Sequence, residues 1–315
     1  MHGRGPQVIA GNTPALHCLR PTMGCMEILR LDGTLDGLVD PVIVVALDGW
    51  TDAGRAGSFA GEMLQRSSPG DRIGEFDGDA LFDYRDRRPI LSIDSGLLEH
   101  PVWPSLTVFA LSPTPGSSVL LVKGAEPDLA WQQLCADLVE LAETAGAARY
   151  VGMGAVPAPV PHTRTTQVIT TGSDEALLDR YGRPHERLTV PASCQVIIEA
   201  AMRDAGLQTL GLWARIPHYV AGEYPAGAHA LLSVLTDFLG VKLDLAELEV
   251  QAEHERQRLD LAATNSAEIV AHIRQLELAY DENLRADAGF GGLPTGDEIA
   301  ADLERFLRSQ GDDNT

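Results

Sequence analysis

The chain has 315 residues but only four cysteines, Cys18, Cys25, Cys135 and Cys194, and no two of them stand in a C-x-x-C spacing. A disulfide-built scaffold is excluded, and reduced thiols point to a cytoplasmic protein. Aromatic residues make up 5%, few for a reader of carbohydrate or single-stranded nucleic acid. Lysine is nearly missing: Lys123 and Lys242 stand alone, and the other 22 basic residues are arginine. With the abundant Ala and Gly, this reads as the coding bias of a GC-rich genome. The longest unbroken apolar run is Val42–Leu47, far short of the roughly 18–20 residues that span a bilayer. The N-terminus has no charged start followed by an apolar core, so no secretory signal is expected. Positive charge is scarce overall: 45 acidic against 24 basic side chains leave a net charge of −21. A phosphate backbone needs clustered Lys and Arg, so nucleic acid is excluded as a partner, and an anionic membrane face for the same reason.

What is present is enough apolar material, 44% of residues, for a sizeable core. Residues 1–25 are Gly-, Pro- and polar-rich and lack any period, which predicts a disordered leader. The patterned sequence begins at Glu27-Ile28-Leu29, so Met1, Met23 and Met26 are all candidate starts. From 42 to 240, β-branched runs at 42–47, 106–111, 119–122, 150–153, 167–171 and 210–216 alternate with helical patterns near 54–66, 127–145, 174–181, 192–205 and 226–239. Such runs suit strands covered on both faces, and strands separated by helices imply βαβ units. The fold class is therefore α/β, a mostly parallel sheet flanked by helices. Pro191 is expected in a first helical turn and Gly146 and Gly206 as C-terminal caps.

From 244 the pattern is helix only. Asp244 with Glu247, Asn265 with Glu268 and Thr295 with Glu298 have the spacing of reciprocal caps. Ile269, Ile273, Leu276, Tyr280 and Leu284 form one apolar stripe. Ile299, Leu303, Phe306 and Leu307 form another beyond a GFGGLP break at 289–294. The expected organisation is an α/β domain over 26–243, a helical appendage over 244–310 and a disordered tail over 311–315. The last 72 residues carry 17 acidic and 6 basic side chains, about half the net charge. They read as a solvated face or as an acidic arm for a basic partner.

Ligands of open α/β sheets bind at the carboxyl ends of strands, and three clusters fall there or nearby. Asp48, Trp50 and Asp52 follow the first strong strand; they bind a polar ligand, or Asp52 caps the next helix and Trp50 anchors an interface. Asp83, Tyr84 and Arg85 lie in DYRDRRP, a ligand pocket or a self-neutralising Asp/Arg network. His162 and Arg164 follow the strand at 150–153, and His218 and Tyr219 follow the strand at 210–216. Asp48, His162 and His218 on one edge suit acid–base work or metal binding, yet no H-E-x-x-H spacing supports a metal, and loop histidines commonly serve as structural hydrogen-bonding residues. GMGAVP at 152–157 fails as a dinucleotide loop because its sixth residue is proline. There is no phosphate-binding G-x-x-x-x-G-K-[ST], and Ser58, Ser95 and Ser173 lack the G-x-S-x-G elbow. No nucleophile, metal or cofactor is assigned.

The run VVALDGWTDAG (44–54), then EFDGD (75–79), DYRDRRP (83–89), PHTR (161–164) and GLWARIPHYV (211–220), resembles the bacterial branch of the proteasome assembly chaperone 2 family. The five motifs agree in order over about 40–240. The resemblance implies a fold similar to that of nucleoside phosphorylases, and homo-oligomers with the trimer as the expected form. It also implies protein partners, proteasome subunits among them. Archaeal relatives dock through a C-terminal hydrophobic-Tyr-X signature; this sequence ends GDDNT, so docking by that route is not expected. Two functions follow. The preferred one is a non-enzymatic, self-associating protein that binds a protein partner. The alternative is an enzyme, phosphorylase- or hydrolase-like, acting on a small polar metabolite at the strand ends.

Overall fold

The structure, a computed structural model, describes residues 27–184 and 187–287. In chain order the elements are β1 (Leu29–Leu31), β2 (Val42–Asp48), α1 (Ala56–Ser67), β3 (Gly70–Phe76), α2 (Gly78–Leu81), β4 (Ile93–Asp94), β5 (Leu97–Leu98), β6 (Leu106–Thr114), β7 (Ser117–Ala125), α3 (Trp131–Ala145), β8 (Arg149–Ala158), β9 (Val168–Gly172), α4 (Glu175–Tyr181), α5 (Cys194–Asp204), β10 (Gln208–Pro217), α6 (Pro225–Leu239), α7 (Ala246–Ala263) and α8 (Ala267–Asp287). The leader, the 289–294 break, the Thr295–Glu298 cap, the last apolar stripe, the 311–315 tail, Cys18 and Cys25 lie outside the described residues.

Residues 42–47 are all buried because the strand is covered twice. Val42, Val44 and Ala46 point to one core with Phe59 and Met63 of α1, Leu231 and Leu235 of α6 and Leu248 of α7. Ile43, Val45 and Leu47 point to the other core, with Leu134 and Leu138 of α3 and Cys194 and Ile198 of α5. This continuous apolar run is the signature of a strand buried on both faces. The result is a three-layer α/β architecture in which β2 is central. The eight-stranded sheet has the order β1-β3-β6-β7-β2-β8-β10-β9. Its core β7-β2-β8-β10 is wholly parallel, while β9, β6 and β1 run against their neighbours at the edges. Five of the eight strands therefore share one direction.

Small residues let the layers approach. A Cβ on Gly57 of α1 would sit 2.6 Å from the Met153 carbonyl of β8, so α1 lies directly on the sheet. Asp137 of α3, 1% exposed, fixes β1: its carboxylate accepts from the backbone N–H of Glu27, Ile28 and Leu29 at 3.2, 2.8 and 2.8 Å. Gly146 ends α3 in the left-handed region at φ 70°, and Gly206 follows the last residue of the α5 turn at φ 91°.

Three local expectations need correction. Pro191 lies ahead of α5 rather than in its first turn; Ser193 is the cap, and its Oγ accepts from Val196 N–H at 3.4 Å. Ser266, not Asn265, supplies the side-chain acceptor at the start of α8, to Ile269 N–H at 3.4 Å. Asp244 caps Ala246 at 3.0 Å, but Glu247 turns to Gln251 instead of reaching back. Cys135 and Cys194 are free and buried. No described helix is long and apolar enough to cross a membrane.

The helical segment after 244 is continuous with the body. Leu248 of α7 is fully buried in the α1–α6 core. Ile273, Leu276 and Tyr280 of α8 are each no more than 8% exposed, and Tyr280 packs on Ala158 at the end of β8 and on Val160 just past it. Ile269 and Leu284, the ends of the expected stripe, stay exposed.

Candidate functional site

Because β2, β8 and β10 are parallel, their carboxyl ends share one rim. Asp48 ends β2, His162 follows β8, and His218 with Tyr219 follows β10. The rim divides into three groups of contacts.

The first surrounds Asp48. Its side chain is exposed, while its carbonyl accepts from Arg87 Nη1 at 3.1 Å and from Glu126 N–H at 2.9 Å. Glu126, one residue past β7, is the organiser: one carboxylate oxygen accepts from Trp50 N–H at 2.7 Å and the other from Cys194 N–H at 2.9 Å. It thereby ties the loop after β2 to the N-terminus of α5. Trp50 itself is 63% exposed. Asp52 is buried, and its Oδ1 accepts from Gly57 N–H at 2.7 Å and Ser58 N–H at 3.2 Å, so it caps α1 across a short 3-10 turn. Its Oδ2 has no hydrogen bond. Burial raises its pKa against the lowering effect of those donors.

The second group is the 83–85 turn. Arg85 clasps Asp83 through Nε and Nη2 at 3.0 and 2.7 Å, which pulls the Asp83 carboxyl down to about 2. Tyr84 donates to Asp79 at 2.8 Å and meets the Trp103 ring edge-on at 4.7 Å. Burial and Asp79 raise its hydroxyl to about 12. Acid and base in this stretch neutralise one another.

The third group joins the β8 and β10 loops to α7 and α8. His162 has a side chain 1% exposed. Its backbone N–H donates to Tyr219 Oη at 2.8 Å, and its Nδ1 lies 2.7 Å from the same oxygen. Nε2 faces Asp260 of α7 at 3.2 Å. A carboxylate can only accept, so Nε2 donates to Asp260. Arg256 Nη1 in turn donates to Asp260 at 2.6 Å. Arg164 forms a two-bond pair with Asp281 of α8 at 2.9 and 2.9 Å and adds Glu277 at 3.0 Å. Asp281 and Glu277 raise its guanidinium pKa. Thr163 also donates to Glu277, and Tyr280 to the Thr165 carbonyl at 2.8 Å. His218 holds Nδ1 3.3 Å from the Ala158 carbonyl and Nε2 3.4 Å from His272 of α8. Burial pushes the Tyr219 phenol up.

The rim thus brings His162, Arg164, His218 and Tyr219 together, but their polar atoms are directed at each other and at the protein's own C-terminal helices. Among the described residues, a hollow of about 460 Å³ is lined by Glu62, Gln65, Arg66 and Lys123, and another of about 550 Å³ by Ser173, Asp174, Glu175, Arg203, Gly206, Leu207 and Gln208. None of the candidate residues lines either. Among the described residues, no three His, Cys, Asp or Glu side chains gather as a metal-binding group. Glu126, Asp260, His272, Glu277 and Asp281 were not legible as rim residues. One signal was available: Glu277 and Asp281 stand one helical turn apart, the spacing at which two carboxylates flank one guanidinium.

No curated protein matches the chain. Solved structures do. A Mycobacterium tuberculosis protein of unknown function is 31% identical with a TM-score of 0.77, over 84% of this chain and 94% of that one. A Mycobacterium tuberculosis proteasome-assembly chaperone homologue is 30% identical with a TM-score of 0.69, over 74% of this chain and 99% of that one. An archaeal proteasome activator from Pyrococcus furiosus shares the fold at 16% identity and a TM-score of 0.60, over 74% and 97%. The PAC2 family model matches residues 46–263, well over half of the sequence, and the chain belongs to the PAC2 family.

Proposed function

We propose that the chain is a non-enzymatic, chaperone-like protein of the cytoplasm, whose copies associate with one another, with the trimer as the expected form, and bind a protein partner. Proteasome subunits are the first partner to test. One observation carries this reading: the strand-end rim, where an α/β enzyme of this shape would hold its substrate, is bound to α7 and α8 through Arg164–Asp281, His162–Asp260 and His218–His272. The likeness to a proteasome-assembly chaperone homologue at 30% identity supports the choice of partner. Against the metabolite-enzyme alternative stand the cap that Asp52 makes on a helix and the bonds that His162 and Arg164 make to the C-terminal helices.

Purified chain mixed with purified α- and β-type proteasome subunits tests the proposal, with native mass spectrometry as the readout. A stoichiometric complex and an altered rate of subunit assembly are expected. No complex at tens of micromolar and an unchanged assembly rate would overturn it.

A further inference from the structure

His218, just past β10, and His272, on α8, are 54 residues apart in sequence. Their Nε2 atoms stand 3.4 Å from one another, with the ring planes 79° apart and the ring centroids separated by 5.4 Å. Two imidazole nitrogens bonded to one tetrahedral zinc at about 2.0–2.1 Å lie about 3.3–3.4 Å from each other, with ring centroids about 5.2 Å apart. The pair therefore already has nearly the spacing of two ligands on one ion. Its surroundings support both rings. His218 Nδ1 lies 3.3 Å from the Ala158 carbonyl. A carbonyl can only accept, so Nδ1 donates to it, and in the neutral ring the Nε2 lone pair is turned to His272. A backbone carbonyl on the far nitrogen is the common support of a metal-bound histidine. The Tyr219 ring meets His218 edge-on at 5.4 Å and holds its orientation. Both histidines are partly exposed, so a hydrated ion can reach them.

We infer that His218 and His272 together hold a divalent transition-metal ion of the zinc type, which staples α8 to the strand-end rim. The inference stands apart from the partner binding proposed above. Imidazole selects the ion: it suits Zn2+, Cu2+ and Ni2+, whereas Mg2+ and Ca2+ take oxygen ligands. Among the described residues no third His, Cys, Asp or Glu gathers with the pair, so water fills the remaining positions. The ion is accordingly exchangeable and held more weakly than in a closed four-ligand site. A net charge of −21 favours the approach of cations. In the metal-free chain the Nε2–H of His272 donates to His218; on binding, His272 takes its other tautomer, with the proton on Nδ1, and both Nε2 lone pairs go to the ion. Because the two ligands meet only in the folded chain, binding stabilises the docking of α8. No short motif could show the pair, since one ligand comes from the α/β body and the other from the C-terminal helices.

Calorimetric titration of the chelator-treated full chain with zinc chloride tests this, beside its His218→Ala and His272→Ala variants, with far-UV circular dichroism as the check on folding. The wild type is expected to bind one zinc ion at this site with micromolar affinity and to ignore magnesium. Each variant should bind at least about tenfold more weakly. Zinc should also slow hydrogen exchange in 217–220 and 267–284 of the wild type and in neither variant. No binding at 500 micromolar zinc overturns the site. Equal affinity in the wild type and both folded variants means an adventitious ion only, held by others of the nine histidines, and overturns it as well. Should the variants not fold, paramagnetic Co2+ on the wild type decides through the imidazole nitrogen resonances. Broadening first at His218 and His272 supports the site; broadening first at other histidines overturns it.

Discussion

Glu126 holds two backbone N–H groups of segments far apart in sequence, those of Trp50 and Cys194. Replacing it with Ala removes both acceptors, from the buried Cys194 N–H and from the part-buried Trp50 N–H. Each unmade bond costs about 1–3 kcal/mol, so Glu126→Ala should lower unfolding stability by about 2–6 kcal/mol in a urea titration. Glu199 of α5 acts in the opposite sense. Burial raises its pKa, against the lowering effects of a 2.8 Å hydrogen bond from Thr171 and the charge of Arg203. In the unfolded chain its carboxyl ionises near the ordinary value. Between that value and the raised one, the native state binds the extra proton, so stability falls as pH increases. The contribution is complete below the unfolded pKa and is lost as pH passes the folded one. Asp52, also raised by burial, has the same sign. Glu199→Gln keeps an acceptor for Thr171 and removes one slope. Urea midpoints at pH 5 and pH 8 should therefore show the variant gaining on the wild type as pH rises. A constant difference would mean that Glu199 does not titrate with folding.

At the scale of elements, legibility followed burial. β2, β8 and β10 could be read because both faces are covered and their middles are apolar. β3 (GDRIGEF) is not among the expected strands, because only Ile73, Gly74 and Phe76 face the interior so near the sheet edge. The β4–β5 hairpin escaped because its apolar residues are exposed and have no burial period to report. The placement of α7 and α8 depends on a few long-range contacts, such as Arg164 with Asp281, that leave no local trace. Of the site, the helix-capping role of Asp52 and the hydrogen-bonding role of His162 were among the readings open from sequence; the carboxylates that engage His162 and Arg164 were not. Leu248 ties α7 to the body's core. Leu248→Ala empties a fully buried position among α1, α6 and the sheet. It should cost about 2–5 kcal/mol and shift the whole unfolding transition, read by denaturant titration with two probes. A second, separate transition confined to the C-terminal helices would show that they fold independently of the body.

Across the whole molecule, net charge and ion pairing pull in opposite directions. At −21 the chain repels itself, and salt relieves that repulsion over distances beyond a Debye length of ~10 Å. The pairs that hold α8 respond the other way. Arg164 is 34% exposed, Asp281 36% and Glu277 25%, so salt reaches them, and pairs this open contribute only about 0.2–1 kcal/mol each. Half the net charge lies in the final quarter of the sequence, which concentrates both effects on one region. Raising sodium chloride from 50 to 500 millimolar should therefore raise the melting temperature, because the repulsion of many charges outweighs a few exposed pairs. The same change should speed hydrogen exchange in 267–284, where the lost pairs are local. A melting temperature that falls with salt would mean that paired arginines, not excess carboxylates, govern the stability of this acidic chain.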